Sequence, residues 1–212
     1  MLRRGILALA LLAPSAAIPQ TQPLRPQDLV KLLPAVEPQQ PDIVFQNYPL
    51  VHRVDCFEGR GSAFRTGDNH WMSVAHVTKL HLCNIGGSPF AVTNQDGAHD
   101  FAQMDTPTGV PNGFPIDCGG FVPGRWYWAI GYAGGAAFQT AVAIYATIYT
   151  RTDDGERIFV GMHTVIPGMS GGPVLDPATG AAVGTVNAYN SDYRLSFSRE
   201  LKDTSACGAD IA

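Results

Sequence analysis

Ser170 stands among three glycines and between two prolines in the segment Pro167-Gly168-Met169-Ser170-Gly171-Gly172-Pro173, and an apolar run follows it. Glycines on both sides let the backbone take conformations barred to other residues and approach a ligand closely. A serine so flanked suits acyl chemistry, with the hydroxyl as nucleophile and neighbouring amides aimed at an oxyanion. A tight turn between two strands would carry the same Gly and Pro cluster. The chemical reading therefore needs partners. A serine hydroxyl attacks well only beside a base, and the base needs a carboxylate to fix its tautomer and offset its charge. His76 ends the apolar run Val74-Ala75-His76-Val77, and Asp96, Asp100, Asp105 and Asp117 lie between it and Ser170.

The elements around these residues read as short strands and turns. Tyr48 to Phe57 is extended, Ser62 to Arg65 is a strand, Gly67-Asp68-Asn69 is a turn, and Trp71 to Ala75 returns as the second arm of a hairpin. Strand signals begin near Ile43, and one helical turn is expected from Thr78 to Leu80. Trp126 to Tyr149 carries no charged residue and is long enough to span a bilayer. Its glycines, Gln139 and many β-branched and aromatic residues favour two buried strands joined at Gly134-Gly135. Arg151 to Arg157 is a polar hairpin tip and Ile158 to Met162 a strand. Pro173 to Leu175 and Ala182 to Ala188 form another hairpin, Ser191 to Phe197 a last strand and Arg199 to Asp203 a short helix.

The stretch GSAFRTGDNHWMSVAHV resembles the Gly-Ser-Gly-Phe strand, turn and Thr-Ala-Ala-His strand end of trypsin-like (chymotrypsin-fold) serine proteases. GMSGGPV is similar to that family's nucleophile segment, and AIGYAGG to the segment opening the second barrel in bacterial members, with Ala133 in place of a proline. The resemblance covers about residues 50 to 190. It implies an all-β fold of two six-stranded antiparallel β-barrels, first about 43–115 and second about 124–200, with the active site in the cleft between them. Thr106 to Gly124 would be the crossing. It also implies His76 as general base, Ser170 as nucleophile, and an oxyanion hole from the backbone amides of Gly168 and Ser170.

Asp100 is the expected third member, because Asp100-Phe101-Ala102-Gln103-Met104 resembles the family's Asp-(Leu/Ile)-Ala-x-Leu segment. Its separation from His76, 100 − 76 = 24 positions, is short for the family and implies trimmed loops in the first barrel. Thr164, six positions before Ser170, matches the base of the family's primary pocket. No acid lies there, so a preference for Lys or Arg is not expected. His163 reads as an ordinary strand histidine in preference to a pocket residue that would favour an acidic side chain. Asn187, in Val186-Asn187-Ala188, matches the strand that pairs with substrate backbone. Met169 occupies the place of the aspartate that captures a new N-terminus in trypsin, and Ile43-Val44-Phe45 does not match an Ile-Val-Gly-Gly start, so the domain is expected to be active as folded or controlled in some other way.

The remaining sequence bounds these readings. Arg3 and Arg4, the apolar Gly5 to Ala13 and the small Ser15-Ala16-Ala17 form a signal peptide over 1–17, cleaved after Ala17. Residues 18–42 are a Pro/Gln-rich linker or pro-segment with one short helix around Gln27 to Leu33, followed by a protease domain over 43–212. Export, to the periplasm or outside the cell, permits disulfides among Cys56, Cys83, Cys118 and Cys207. Three pairings are open, and Cys56 with Cys83 and Cys118 with Cys207 is the preferred one. Net charge is −4 with no basic cluster beyond the N-terminus, which argues against nucleic-acid binding. No zinc spacing accompanies His70, His76 and His81, so no metal and no cofactor are expected. A nucleophile elbow of the α/β-hydrolase kind is excluded, since it needs a histidine after the serine and the last one is His163. The expected function is a secreted serine endopeptidase, a monomer acting on polypeptide through an acyl-enzyme. The alternatives are a catalytically silent binding protein of the same fold and, less favoured, an esterase-like hydrolase.

Overall fold

A computed structural model describes residues 34, 36–57, 59–67, 70–79, 82–105, 112–150, 157–162, 165–190, 192 and 195–208. The expected signal peptide, the helix expected around Gln27, Thr164 as expected pocket residue and positions 151–156 of the expected hairpin tip lie outside them.

The architecture is β on β, as the family resemblance implies. Six strands close into a barrel in the order β1-β2-β3-β6-β5-β4, comprising Val51–Cys56, Arg60–Arg65, His70–Ser73, Phe101–Asp105, Ser88–Asp96 and Leu82–Ile85. Seven more form the second sheet in the order β8-β7-β11-β12-β13-β10-β9. They are Thr140–Tyr145, Trp126–Gly131, Pro173–Leu175, Ala182–Asn190, Leu195–Glu200, Arg157–Met162 and Thr147–Thr150. All pairings within the two sheets are antiparallel. The first and last strands of that order, Thr140–Tyr145 and Thr147–Thr150, are one run interrupted only at Ala146, and the second sheet is a half-barrel in keeping with the expected two-barrel architecture.

The uncharged run is explained by burial. Tyr127, Trp128, Ala129 and Ile130 of β7 are all buried, because the strand is sandwiched between two neighbours and covered on both faces. Tyr127 and Ala129 pack with Met169, Val174 and Val183. Trp128 and Ile130 point the other way, into a cluster that also holds Phe64, Met72, Phe101 and Phe114 of the first half. This alternation places one apolar core inside the second sheet and another across the junction, which fixes how the halves face each other.

The crossing segment is stitched to both halves. The Phe114 amide donates to Arg65 O and the Gly67 amide to Phe114 O, while the Ala182 amide donates to Pro115 O and the Asp117 amide to Ala182 O.

Four local expectations differ from the structure. Asp42–Gln46 is a short helix, α1, and not the start of a strand. Pro41 and Asp42 suit a helix start, and burial of Val44 in the junction core overrides the β preference of Ile43 and Val44. Tyr48–Leu50 is a 3-10 turn before β1. β3 ends at Ser73, two residues early, and the turns at Ala75–Val77 carry His76. β13 begins at Leu195, and Arg199 lies inside it.

Two disulfides close the molecule. Cys56 and Cys83 face each other directly across β1 and β4, and Cys118 is joined to Cys207. The second bridge ties the crossing segment to the last turn over a separation of 89 residues, against 27 for the first. Cross-linking a longer loop removes more freedom from the unfolded chain. Cys118→Ser/Cys207→Ser should therefore cost about 2–5 kcal/mol and more than Cys56→Ser/Cys83→Ser. Urea unfolding of both variants checks this, and an equal or reversed ranking would contradict the loop-length argument.

Candidate active site

The site is assembled from three loops, each anchored by a different device. The first carries His76 just beyond β3. Its backbone amide donates to Asp100 Oδ1 at 2.9 Å, and its ring Nδ1 lies 2.7 Å from Asp100 Oδ2. Asp100 thus grips both the backbone and the ring of one residue, which leaves little rotational freedom to the imidazole.

Asp100 sits at the tip of the β5–β6 hairpin with φ +50°, a left-handed conformation that Asp tolerates better than most residues. The tip is braced from within by Asp96, a buried carboxylate whose Oδ1 accepts the amides of Ala98 and His99, while its Oδ2 pairs with the His99 ring. It is braced from outside by Arg199 of β13, which donates to Ala98 O at 2.9 Å. A two-strand hairpin therefore suffices to deliver the carboxylate, which accounts for the short His76–Asp100 separation.

Asn187 completes the support of Asp100. Its Nδ2 donates to Asp100 Oδ2 at 3.0 Å and to Asp100 O at 3.3 Å. Its Oδ1 accepts from Thr185 Oγ1 and from the Arg199 amide, both at 3.0 Å. With the oxygen so occupied, the NH₂ end is the one that faces Asp100. A register shift between Val186 and Ala188 bulges β12 here, and a bulge re-aims a side chain. Asn187 was singled out from the sequence for its backbone; its side chain serves the carboxylate. Burial pushes the Asp100 carboxyl up, but the hydrogen bonds from His76 and Asn187 outweigh it and hold it below the usual carboxylate range.

The third loop carries Ser170. The Ser170 carbonyl accepts the Ser62 amide of β2 at 2.7 Å, so the Ser170 segment is bonded to the first barrel. The Ser62 hydroxyl donates to Gly168 O at 2.9 Å and accepts the Tyr132 amide at 2.9 Å. Gly171, with φ +84°, has no room for a side chain, since a Cβ there would overlap Ser62 O and the Ser73 hydroxyl.

Two peptide planes in this loop are fixed by their carbonyls. Pro167 O accepts the Gly134 amide at 2.6 Å, and Met169 O accepts the Gly172 amide at 2.9 Å. In a trans peptide the N–H points opposite to the C=O, so the amides of Gly168 and Ser170 are turned the other way. Neither has an acceptor among the described residues. Gly168 adopts φ +99°, which a residue with a side chain would resist. Met169 between them is fully buried among Phe121, Tyr127, Ala129, Val165 and Val174. No hydrogen bond joins Ser170 Oγ to the His76 ring among the described residues; contacts of this kind are often long without substrate and tighten on binding.

A trypsin-like peptidase domain model matches residues 61–184. That is more than half of the chain. The chain belongs to the trypsin-like peptidase domain family. Solved structures of this family's fold are similar throughout. The inactive form of the Rv3671c protease superposes with a TM-score of 0.65 at 22% identity, over 79% of this chain and 93% of the other. The active form of the same protease, from M. tuberculosis, gives 0.62 at 22%, over 84% and 92%. The HtrA-type protease AlgW, crystallised with a tripeptide, gives 0.64 at 20%, over 76% of this chain but 59% of that one. No curated protein matches the sequence.

The depressed Asp100 carboxyl has a consequence for stability. A carboxyl held below its ordinary value adds stability above about pH 4, the unfolded-chain range, and this is lost as pH falls through the folded value. Asn187→Ala should thus be less stable than the parent near neutral pH, and the gap should narrow below about pH 4. Urea midpoints across that range decide it. A gap that does not change with pH would mean that Asn187 acts only through packing and its bonds to Thr185 and Arg199.

Proposed function

We propose that this chain is an exported serine endopeptidase in which Ser170 is the nucleophile, His76 the general base and Asp100 the residue that orients and balances the histidine. The observation that carries it is the pairing of a doubly held His76–Asp100 unit with two acceptor-free amides flanking the Ser170 hydroxyl. With Nδ1 engaged by Asp100, Nε2 is the nitrogen left to take the Ser170 proton as Oγ attacks the scissile carbonyl. The oxyanion forms against the amides of Gly168 and Ser170, a kind of donor worth about 10²–10³ in turnover. The C–N bond then breaks, His76 returns the proton to the departing amine, and water releases the acyl group from Ser170 with the same base.

Export is part of this proposal: removal of residues 1–17 delivers the domain to the periplasm or outside the cell, where both disulfides persist. No described helix is long and apolar enough to cross a membrane. The primary specificity pocket is proposed to involve Thr164, with the backbone at Asn187 lying along the substrate.

The test is covalent labelling by a fluorophosphonate, with the labelled peptide located by mass spectrometry. The expected result is a label on Ser170, absent in Ser170→Ala and slowed by about 10⁴ in Asp100→Asn. A folded protein that takes no label under any condition would be a silent binding member of the family.

A further inference from the structure

A groove opens against Gly168, and none of its lining residues comes from Val186–Ala188. Gly61, Tyr132, Gly134, Pro167 and Gly168 line it together with Arg53 and Arg60, around a volume of about 370 Å³. Arg53 and Tyr132 also line the adjoining depression of about 470 Å³, which reaches Asp55 and Asn84. The two make one trough that begins at a proposed oxyanion donor and runs along β1.

The charge of this trough is unbalanced. Arg53 Nε lies 2.9 Å from Asp55 Oδ2 and Arg60 Nε lies 3.2 Å from Asp55 Oδ1. Two guanidinium groups share one carboxylate, 2 − 1 = 1 net positive charge, and no other acidic side chain lines the trough among the described residues. His52 in the outer part adds none at neutral pH, because burial holds its ring below the ordinary histidine range, with Arg65 acting the same way against the Pro49 carbonyl bond. Burial likewise raises the Tyr132 phenol, against the pull of Arg53, so it stays a neutral donor.

In the proposed reaction the acyl half of the substrate stays on Ser170 with its backbone along Val186–Ala188. The other half leaves past Gly168, and among the described residues the trough is a concave path there. We propose that this trough binds the residues on the C-terminal side of the cleaved bond and selects an Asp or Glu side chain among them, with Arg53 and Arg60 as the specificity residues. The proposal rests on the endopeptidase reading. Arginine suits the task, since its planar fork matches a carboxylate. The side chains of Arg53 and Arg60 are 48% and 81% exposed, so the effect is one of selection, not of strong binding.

The test is digestion of a peptide library randomised around the cut and amidated at its C-termini, which removes the terminal carboxylate as a competing ligand. Wild type should enrich Asp and Glu over Lys and Arg within the first three positions after the cut by about three- to fivefold, less at high salt. Arg53→Glu/Arg60→Glu should reverse that ratio. Asp55→Asn, which removes the counter-charge and keeps both arginines, should increase it. Preferences before the cut, read in the same digest, are the internal reference. The same ratio in all three proteins overturns the proposal while leaving the endopeptidase intact. Absence of both cleavage and Ser170 labelling would remove the endopeptidase reading and the subsite with it.

Discussion

The bond from the Ser62 amide to the Ser170 carbonyl is the constraint on which the rest of this molecule depends. It joins β2 of the closed barrel to a loop of the half-barrel, so the Ser170 segment belongs to both. The Ser62 hydroxyl extends the joint by bridging Gly168 O and the Tyr132 amide. Each group here is buried or partly buried, where a hydrogen bond lost on one side leaves an unsatisfied partner costing about 1–3 kcal/mol. The joint is therefore stiffer than its number of bonds suggests. The halves cannot shift against each other without breaking it.

From that joint the site can be built outward in both directions. Toward the base, Gly61 lies against Val77 and the Ser170 carbonyl with no space for a Cβ, which brings the residue after His76 onto the nucleophile loop. The Ser73 hydroxyl donates to Ser62 O at 2.9 Å, and Gln95 reaches Ala75 O at 3.3 Å, so β3, β5 and the turn that bears His76 are tied at the same level. Toward the oxyanion, the Gly134 amide holds the Pro167 carbonyl, and through it the Gly168 N–H. None of these contacts is between ions.

Much of this was legible in the sequence where a local pattern and a chemical role coincide. Gly168, Ser170 and Gly171 announce a loop that only glycine can shape, and His76 stands at the close of an apolar run, so two of the proposed residues were visible without a structure. Asp100 was visible through its likeness to a family segment, with Asp96 set aside because its neighbour Gly97 marks it as a turn residue. The structure gives the two different surroundings: Asp96 turns inward to close a hairpin tip and Asp100 turns out to the imidazole. The side-chain role of Asn187 was not legible, because it arises from a bulge in β12, and bulges depend on pairing across strands. The helix at Asp42–Gln46 was hidden for a related reason. Its β-branched pair favours a strand, and only the junction core that receives Val44 decides otherwise.

Met169 shows how the loop keeps its shape without a charge. By the family resemblance, this is the place of the aspartate that captures a new N-terminus in trypsin. Here a thioether side chain enters the core of the second sheet between Phe121, Tyr127 and Val174 and is wholly removed from water. Burying such a side chain contributes about 1.5–3 kcal/mol, with no desolvated charge to compensate. The contribution carries no pH dependence and needs no charged partner. Because Met169 also supplies the carbonyl that Gly172 holds, its packing and the direction of the Ser170 amide are set together. The orientation of the proposed oxyanion donors is thus a property of the folded core itself.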